Sequence, residues 1–148
     1  MQAQMLAPAA VLVLWSLIML MWMARTRFAA FATAQVDLKT AKPGGRGQNL
    51  EGVLPEEVNW KAHNYAHLME QPTIFYPTVV ILALSGASAL DVALAWAYVL
   101  LRVIHSIWQA TVNRIPVRFL LFVLSSACLI ALAVSAVMVT LFAGPADV

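Results

Sequence analysis

The chain alternates between long apolar runs and shorter polar segments. Four stretches are mostly apolar, at about 5–25, 56–84, 89–112 and 118–142. Each is close to or above the roughly 20 residues that a helix needs to cross the hydrocarbon layer of a bilayer. The connection at 28–55 is polar and contains Pro and Gly, which is typical of a loop. The pattern predicts four membrane-spanning helices joined by one long and two short connections.

Composition excludes the other broad classes of protein. Apolar residues make up 62% of the 148 residues, and charged residues make up only 11%. Soluble domains contain about 45–50% apolar and about 25% charged residues, and disordered or nucleic-acid-binding chains are richer in charge still. Four spans also use nearly the whole length, which leaves no room for a separate soluble domain. We therefore predict an all-α integral membrane protein, built as a single four-helix bundle, that binds no nucleic acid.

The distribution of charge predicts an orientation. Eight of the nine basic residues flank the first and third connections: Arg25, Arg27, Lys39, Lys42, Arg46, Lys61, Arg114 and Arg118. In a chain with four spans these two connections lie on the same side of the membrane. The positive-inside rule then places both basic connections in the cytoplasm and both termini outside. The ninth basic residue, Arg102, lies in the middle of the third span.

Polar side chains recur on one face of each of two spans. The third span carries Asp91, Tyr98, Arg102, His105 and Gln109 at spacings of three, four or seven, and the second carries His63, His67 and Glu70, with Asn64 and Gln71 beside them. Such spacings place side chains on the same side of a helix. A charged residue at mid-membrane is costly, by roughly 2.5–3.5 kcal/mol on insertion scales, so it faces a cavity or a partner.

Depth in the membrane suggests a partner for Arg102. Glu70 lies about ten residues from Trp60, and Arg102 lies about ten residues from Val112, which is about 15 Å from the same side at 1.5 Å per residue. The sequence therefore predicts that the carboxylate of Glu70 and the guanidinium of Arg102 form a buried ion pair.

These polar residues allow three interpretations. They could join the helices without binding anything, because polar pairs support helix association in membranes. They could line a wet cavity for an anionic ligand, with Arg114 and Arg118 at its mouth, and the large number of polar groups favours this interpretation. His63, His67, Glu70 and His105 could also hold a metal ion. Because a pair of His four residues apart is common by chance and no Cys supports it, we assign no metal.

The fourth span carries a stripe of small residues. Ala127, Ala131 and Ser135 recur every four residues. Such a stripe allows two helices to approach closely, so it favours a tightly packed bundle or an oligomer.

Two segments carry a family resemblance. Residues 102–118 read RVIHSIWQATVNRIPVR, and residues 67–76 read HLMEQPTIFY. The first is similar to the third-helix motif of the prostaglandin E synthase branch of the MAPEG family, the membrane-associated proteins in eicosanoid and glutathione metabolism. The second resembles that family's second-helix motif in its bacterial form, Asn-x-x-Glu-x-Pro-x-x-Phe-Tyr. The four spans, the basic first connection and the outside termini fit the family along the whole chain.

The resemblance implies a homotrimer in a bacterial inner membrane that binds glutathione between neighbouring subunits, near the cytoplasmic side. It implies a transferase or peroxidase that acts on a lipophilic small molecule arriving from the lipid. Arg118 stands where an arginine stabilises the thiolate of glutathione, which is the nucleophile, and is the expected catalytic residue. The expected ligand-binding residues are His63, His67, Glu70, Arg102, His105, Gln109 and Arg114.

The match to the motifs is incomplete at four positions. His63 replaces an Arg, His67 replaces an Asn, Gln109 replaces a Tyr and Phe119 replaces a Ser. A neutral His cannot fully replace Arg in binding a carboxylate. These differences favour an alternative in which the chain is a non-catalytic trimeric membrane protein, with a degenerate polar pocket that binds lipid or a partner protein.

Overall fold

A computed structural model describes residues 1–34 and 43–142. Within these residues the chain forms five α-helices and one short 3₁₀ helix: α1 (Gln2–Ala34), the 3₁₀ helix (Gly47–Leu50), α2 (Glu56–Leu68), α3 (Pro72–Ser85), α4 (Ala89–Thr111) and α5 (Ile115–Leu141). Four helical segments are long and apolar enough to cross a membrane, with α2 and α3 together forming the second. The prediction of an all-α fold with four spans is confirmed.

The first helix is longer than predicted. It continues to Ala34, whereas the sequence placed its end near residue 25 and assigned residues 28–34 to the loop. The extension contains four Ala and no Gly or Pro, and Ala is the best helix former. Lys39 and Lys42, which were assigned to the basic connection, lie outside the described residues.

The second span is interrupted at residues 69–71, between α2 and α3. Pro72 is the first residue of α3. Proline has no backbone N–H, so Pro72 cannot donate the hydrogen bond that would continue α2. The carbonyl groups at the end of α2 therefore need other partners. One of them, the carbonyl of His67, accepts a hydrogen bond from α4.

Short turns join the remaining helices. Gly86 ends α3 with a left-handed φ of +100°, a conformation that glycine adopts without steric cost. Ser88 begins α4 as a capping box: its Oγ accepts from the backbone N–H of Asp91, and Asp91 Oδ2 accepts from the backbone N–H of Ser88 at 2.8 Å. Asn113, with a φ of +54°, turns the chain from α4 into α5.

Helix α4 packs against α1, α2 and α5, and helix α3 packs chiefly against α1 and α5. In the core, the rings of Phe75 and Tyr98 stack with centroids 4.4 Å apart. The outward faces are apolar, as expected for surfaces in contact with lipid tails. Ala127 and Ala131 of the predicted small-residue stripe are exposed on α5.

Candidate functional site

The buried guanidinium of Arg102 is held by the end of α2. Arg102 is fully buried, its Nη2 donates to the carbonyl of His67 at 3.1 Å, and its Nη1 lies 3.3 Å from His67 Nε2. A guanidinium can only donate, so Nε2 of His67 must accept. The ring proton of His67 then resides on Nδ1, which donates to Glu70 Oε2 at 2.8 Å. These contacts form a chain from Glu70 through His67 to Arg102.

The predicted direct ion pair between Glu70 and Arg102 is wrong for the single chain. The two residues lie close enough to be joined through one side chain, but the imidazole of His67 stands between them. The side chain of Glu70 is 67% exposed, because Glu70 lies in the break between α2 and α3 and not on a continuous helix face.

Arg118 and two histidines line one cavity of about 220 Å³. The lining residues are His67, His105, Ile115, Arg118, Phe119 and Phe122. The centroid of the His67 ring lies 5.0 Å from that of His105 and 5.7 Å from that of Phe122. The Nη1 of Arg118 donates to Asn113 Oδ1 at 2.7 Å. The cavity therefore combines one positive group with aromatic and apolar walls, a combination suited to an anion that carries an apolar part.

The structure brings five of the eight candidate residues together. His67, His105 and Arg118 line the cavity, and Arg102 and Glu70 are each hydrogen-bonded to His67. These five residues come from α2, α4, α5 and the break before α3.

The other three candidates are placed differently. His63 lines a different cavity, and its Nε2 lies 2.9 Å from Glu51 Oε1. Gln109 is buried, and its Oε1 has no hydrogen-bond partner in the described part of the chain. Arg114 is exposed directly before α5, where its carbonyl accepts from Trp108 Nε1 at 3.2 Å.

The metal interpretation finds no support in the geometry. Among residues 1–34 and 43–142, no three His, Cys, Asp or Glu side chains lie close enough together to hold a metal ion. His63 is hydrogen-bonded to Glu51 and His67 to Glu70 and Arg102, so the two histidines are engaged in separate contacts.

Sequence reasoning missed the residues that support the site. Ser106 Oγ accepts from Trp15 Nε1 at 3.0 Å and from Asn64 Nδ2 at 2.7 Å, which joins α1, α2 and α4 beside Arg102. The position of Ser106, one helical turn after Arg102, was the available signal. Asn113 is also absent from the predicted site residues, although its Oδ1 accepts from Arg118.

One comparison with known proteins gave a match. A family model described as the MAPEG family matches residues 5–138. No curated protein and no solved structure matches the chain.

Proposed function

The chain belongs to the MAPEG family and is an integral membrane protein, and from this premise we propose that it binds glutathione or a similar anionic thiol and uses it on a lipophilic electrophile. Members of the family are generally glutathione-related transferases or peroxidases. The proposal assigns the reaction to the cavity that contains Arg118.

One observation carries this proposal: the guanidinium of Arg118 lines a cavity and is held in place by Asn113. A guanidinium has five N–H donors, and Asn113 is the only hydrogen-bond partner of this side chain in the described part of the protein. The remaining donors are available to an anion in the cavity. A positive charge beside a thiol favours the thiolate, which is the reactive nucleophile, so Arg118 is the proposed catalytic residue.

The surrounding residues would shape and orient the site. Arg102 is fixed by His67, and His105 packs beside His67, so these groups form a rigid polar wall. Glu70 presents an exposed carboxylate beside His67, and we assign to it the amino group of glutathione, from which a carboxylate accepts hydrogen bonds.

The rest of the ligand would be bound by a neighbouring copy of the chain in a homotrimer. Phe119 lines the cavity and is 65% exposed, which leaves one side of the site open to a neighbour or to lipid. Within such an assembly we assign Gln109 and Arg114 to the peptide part of glutathione, and we leave out His63, because Glu51 engages it in another cavity. We further propose a bacterial inner membrane, with the termini outside and the basic connections in the cytoplasm, on the basis of the charge distribution.

Two reactions fit this arrangement. In conjugation, the thiolate sulfur forms a bond to an electrophilic carbon, and the leaving group departs with the electron pair of the bond that breaks. In reduction of a hydroperoxide, the thiolate sulfur attacks the terminal peroxide oxygen, the O–O bond breaks, and the alkoxide takes a proton and leaves as an alcohol. The first glutathione is then a sulfenic acid. The thiolate of a second glutathione attacks its sulfur and displaces hydroxide, which takes a proton and leaves as water, so that glutathione disulfide is formed. Neither reaction needs a further cofactor.

The test combines binding and activity measurements on the full chain in detergent. We expect glutathione at millimolar concentration to raise the unfolding temperature, and an aryl halide or an organic hydroperoxide to be turned over. Arg118→Gln should lower the turnover by about 10²-fold or more while the protein remains folded. Arg25→Gln, which removes an exposed charge on α1 that does not line the cavity, should change neither measurement.

The alternative is a non-catalytic trimeric membrane protein, and the position of His63 favours it. This residue is engaged by Glu51 in another cavity, so it does not face the pocket that contains Arg118. If glutathione leaves the unfolding temperature unchanged and no electrophile is consumed, this alternative replaces our proposal.

A further inference from the structure

A second cavity, of about 450 Å³, lies between the end of α1, the 3₁₀ helix and α2. Its polar lining comprises Arg27, Arg46, Gln48, Glu51, His63 and Tyr65. No residue lines both this cavity and the one that contains Arg118. The proposed thiol chemistry therefore does not explain why two arginines meet here.

The cavity opens at the depth of lipid headgroups. The apolar run of α1 ends at Ala24, and Arg27 lies three residues farther along the helix, about 4.5 Å at 1.5 Å per residue. The polar layer on each side of a bilayer is about 5–8 Å thick. Trp22 precedes Arg27 on α1, and the Nζ of Lys61 lies 5.7 Å from the centroid of its ring. Trp side chains are enriched at the interface between the membrane and water, which supports this depth for the cavity.

The charge of the cavity favours an anion. Two guanidinium groups face one carboxylate, Glu51, and Oε1 of that carboxylate is already engaged by His63. Arg27 Nη2 donates to the carbonyl of Gly47 at 3.2 Å, but its Nε is buried without a hydrogen-bond partner among the described residues. A buried donor without a partner is destabilising, and a ligand oxygen would supply the missing partner.

We propose that this cavity binds a phosphate group through Arg27 and Arg46. The planar guanidinium pairs with phosphate oxygens through two parallel hydrogen bonds, and basic pockets between membrane helices bind the headgroups of anionic phospholipids. The phosphate comes either from such a headgroup or from a soluble phosphate ester. The inference is independent of the proposed glutathione chemistry.

Gly47 offers a way to disturb the site without changing its charge. A Cβ added at Gly47 would lie 2.8 Å from Nη1 of Arg27. That atom is the end of a flexible side chain, so Gly47→Ala would displace the guanidinium at little cost to the fold.

The experiment measures phospholipid retention by the full chain, by native mass spectrometry from detergent. We expect phosphatidylglycerol to be retained at least about fivefold more than phosphatidylcholine. The loss should be about fivefold for Arg27→Gln, which corresponds to roughly 1 kcal/mol for one hydrogen bond to the phosphate, and clear reductions should follow in Arg46→Gln and Gly47→Ala. Arg25→Gln removes the same charge two residues away, at an exposed position that does not line the cavity. It removes no hydrogen bond to the ligand and should change retention less than about twofold.

Inorganic phosphate distinguishes the two sources. One outcome would assign the site to a soluble ligand. In it, phosphate raises the unfolding temperature of the unmodified protein but not of Arg27→Gln, and phosphatidylglycerol is not retained. An equal loss in Arg25→Gln, or equal retention of phosphatidylcholine, would overturn the proposal. The same holds if Gly47→Ala abolishes the response to glutathione, because the cavity would then belong to the thiol site. If Arg27→Gln fails to fold, Gly47→Ala and Arg46→Gln decide the question.

Discussion

At the scale of single residues, the fold depends on how the charge of Arg102 is satisfied in an apolar bundle. A buried charge that loses a partner is strongly destabilising. In this protein the partner is neutral: the carbonyl and the Nε2 atom of His67 both face the guanidinium. The compensating carboxylate of Glu70 acts through the ring of His67 and is itself largely exposed on the single chain.

We predict that His67→Leu destabilises the protein more than Glu70→Gln does. The leucine removes the acceptor of Arg102 Nη1, and a buried donor without a partner costs about 1–3 kcal/mol. Glu70→Gln retains an oxygen that accepts from His67 and should cost less than about 1 kcal/mol. Thermal unfolding in detergent measures both, with the exposed His63→Leu as control. A larger loss for Glu70→Gln would mean that its charge pairs directly with Arg102.

Asn113 combines a backbone role and a side-chain role, and two substitutions separate them. Its φ of +54° is unfavourable for Ala by about 1–2 kcal/mol but costs Gly nothing. We predict that Asn113→Ala lowers the stability and that Asn113→Gly does not. Both variants remove the oxygen that holds Arg118, so both should weaken the rise in unfolding temperature with glutathione. An unchanged response in Asn113→Gly would show that Arg118 needs no such support.

At the scale of helices, the sequence predicts the number of spans well and their ends less well. Four apolar runs are long enough to be unambiguous, whereas the end of α1 depends on the helix propensity of residues 28–34, which have no hydrophobic period. Pro72 is visible in the sequence and indicates a disturbance of the second span, because proline lacks the backbone N–H that a continuous helix needs. The break turns Glu70 outward and leaves the carbonyl of His67 available to Arg102. Both consequences depend on how the helices pack together, and the residue pattern of a single helix gives no information on that packing.

The start of α4 provides a prediction at this scale. Ser88 and Asp91 each accept a hydrogen bond from the other's backbone N–H, and this capping box satisfies two donors at the helix end. We predict that Ser88→Ala lowers the stability by about 1 kcal/mol. Thermal unfolding in detergent measures the loss, and Thr33→Ala on the exposed end of α1 is the control. Equal stability of the two variants would show that water replaces the cap.

At the scale of the whole molecule, composition and charge placed the protein in a membrane, and two motifs identified its family. The candidate site was predictable in part, because His67, Arg102 and His105 lie at helical spacings that point to a common region. The separation of His63 from them was not predictable, because its contact with Glu51 depends on how the connection folds back over α2. The pattern of residues along one helix shows which side chains share a face, but it does not show which part of the protein that face contacts.

The distribution of charge over the bundle leads to a prediction of topology. Arg27, Arg46 and His63 line one cavity, so the end of α1, the 3₁₀ helix and the start of α2 lie at one end of the molecule. The turn at Gly86 joins the opposite ends of α3 and α4 and has no Lys or Arg near it. The positive-inside rule therefore predicts that residue 89 faces outward and residue 45 faces the cytoplasm.

Single cysteines test this arrangement. The native Cys128 is first replaced by Ser, and Gly45→Cys or Ala89→Cys is then introduced at an exposed position. In intact cells, a membrane-impermeant maleimide should label the cysteine at 89 and not the one at 45, and permeabilisation should expose both. The reverse pattern would invert the orientation and place the end of the molecule that holds Arg27 and Arg118 outside. Glutathione, a cytoplasmic thiol, would then have no access to the site, so this result would also overturn the proposed function.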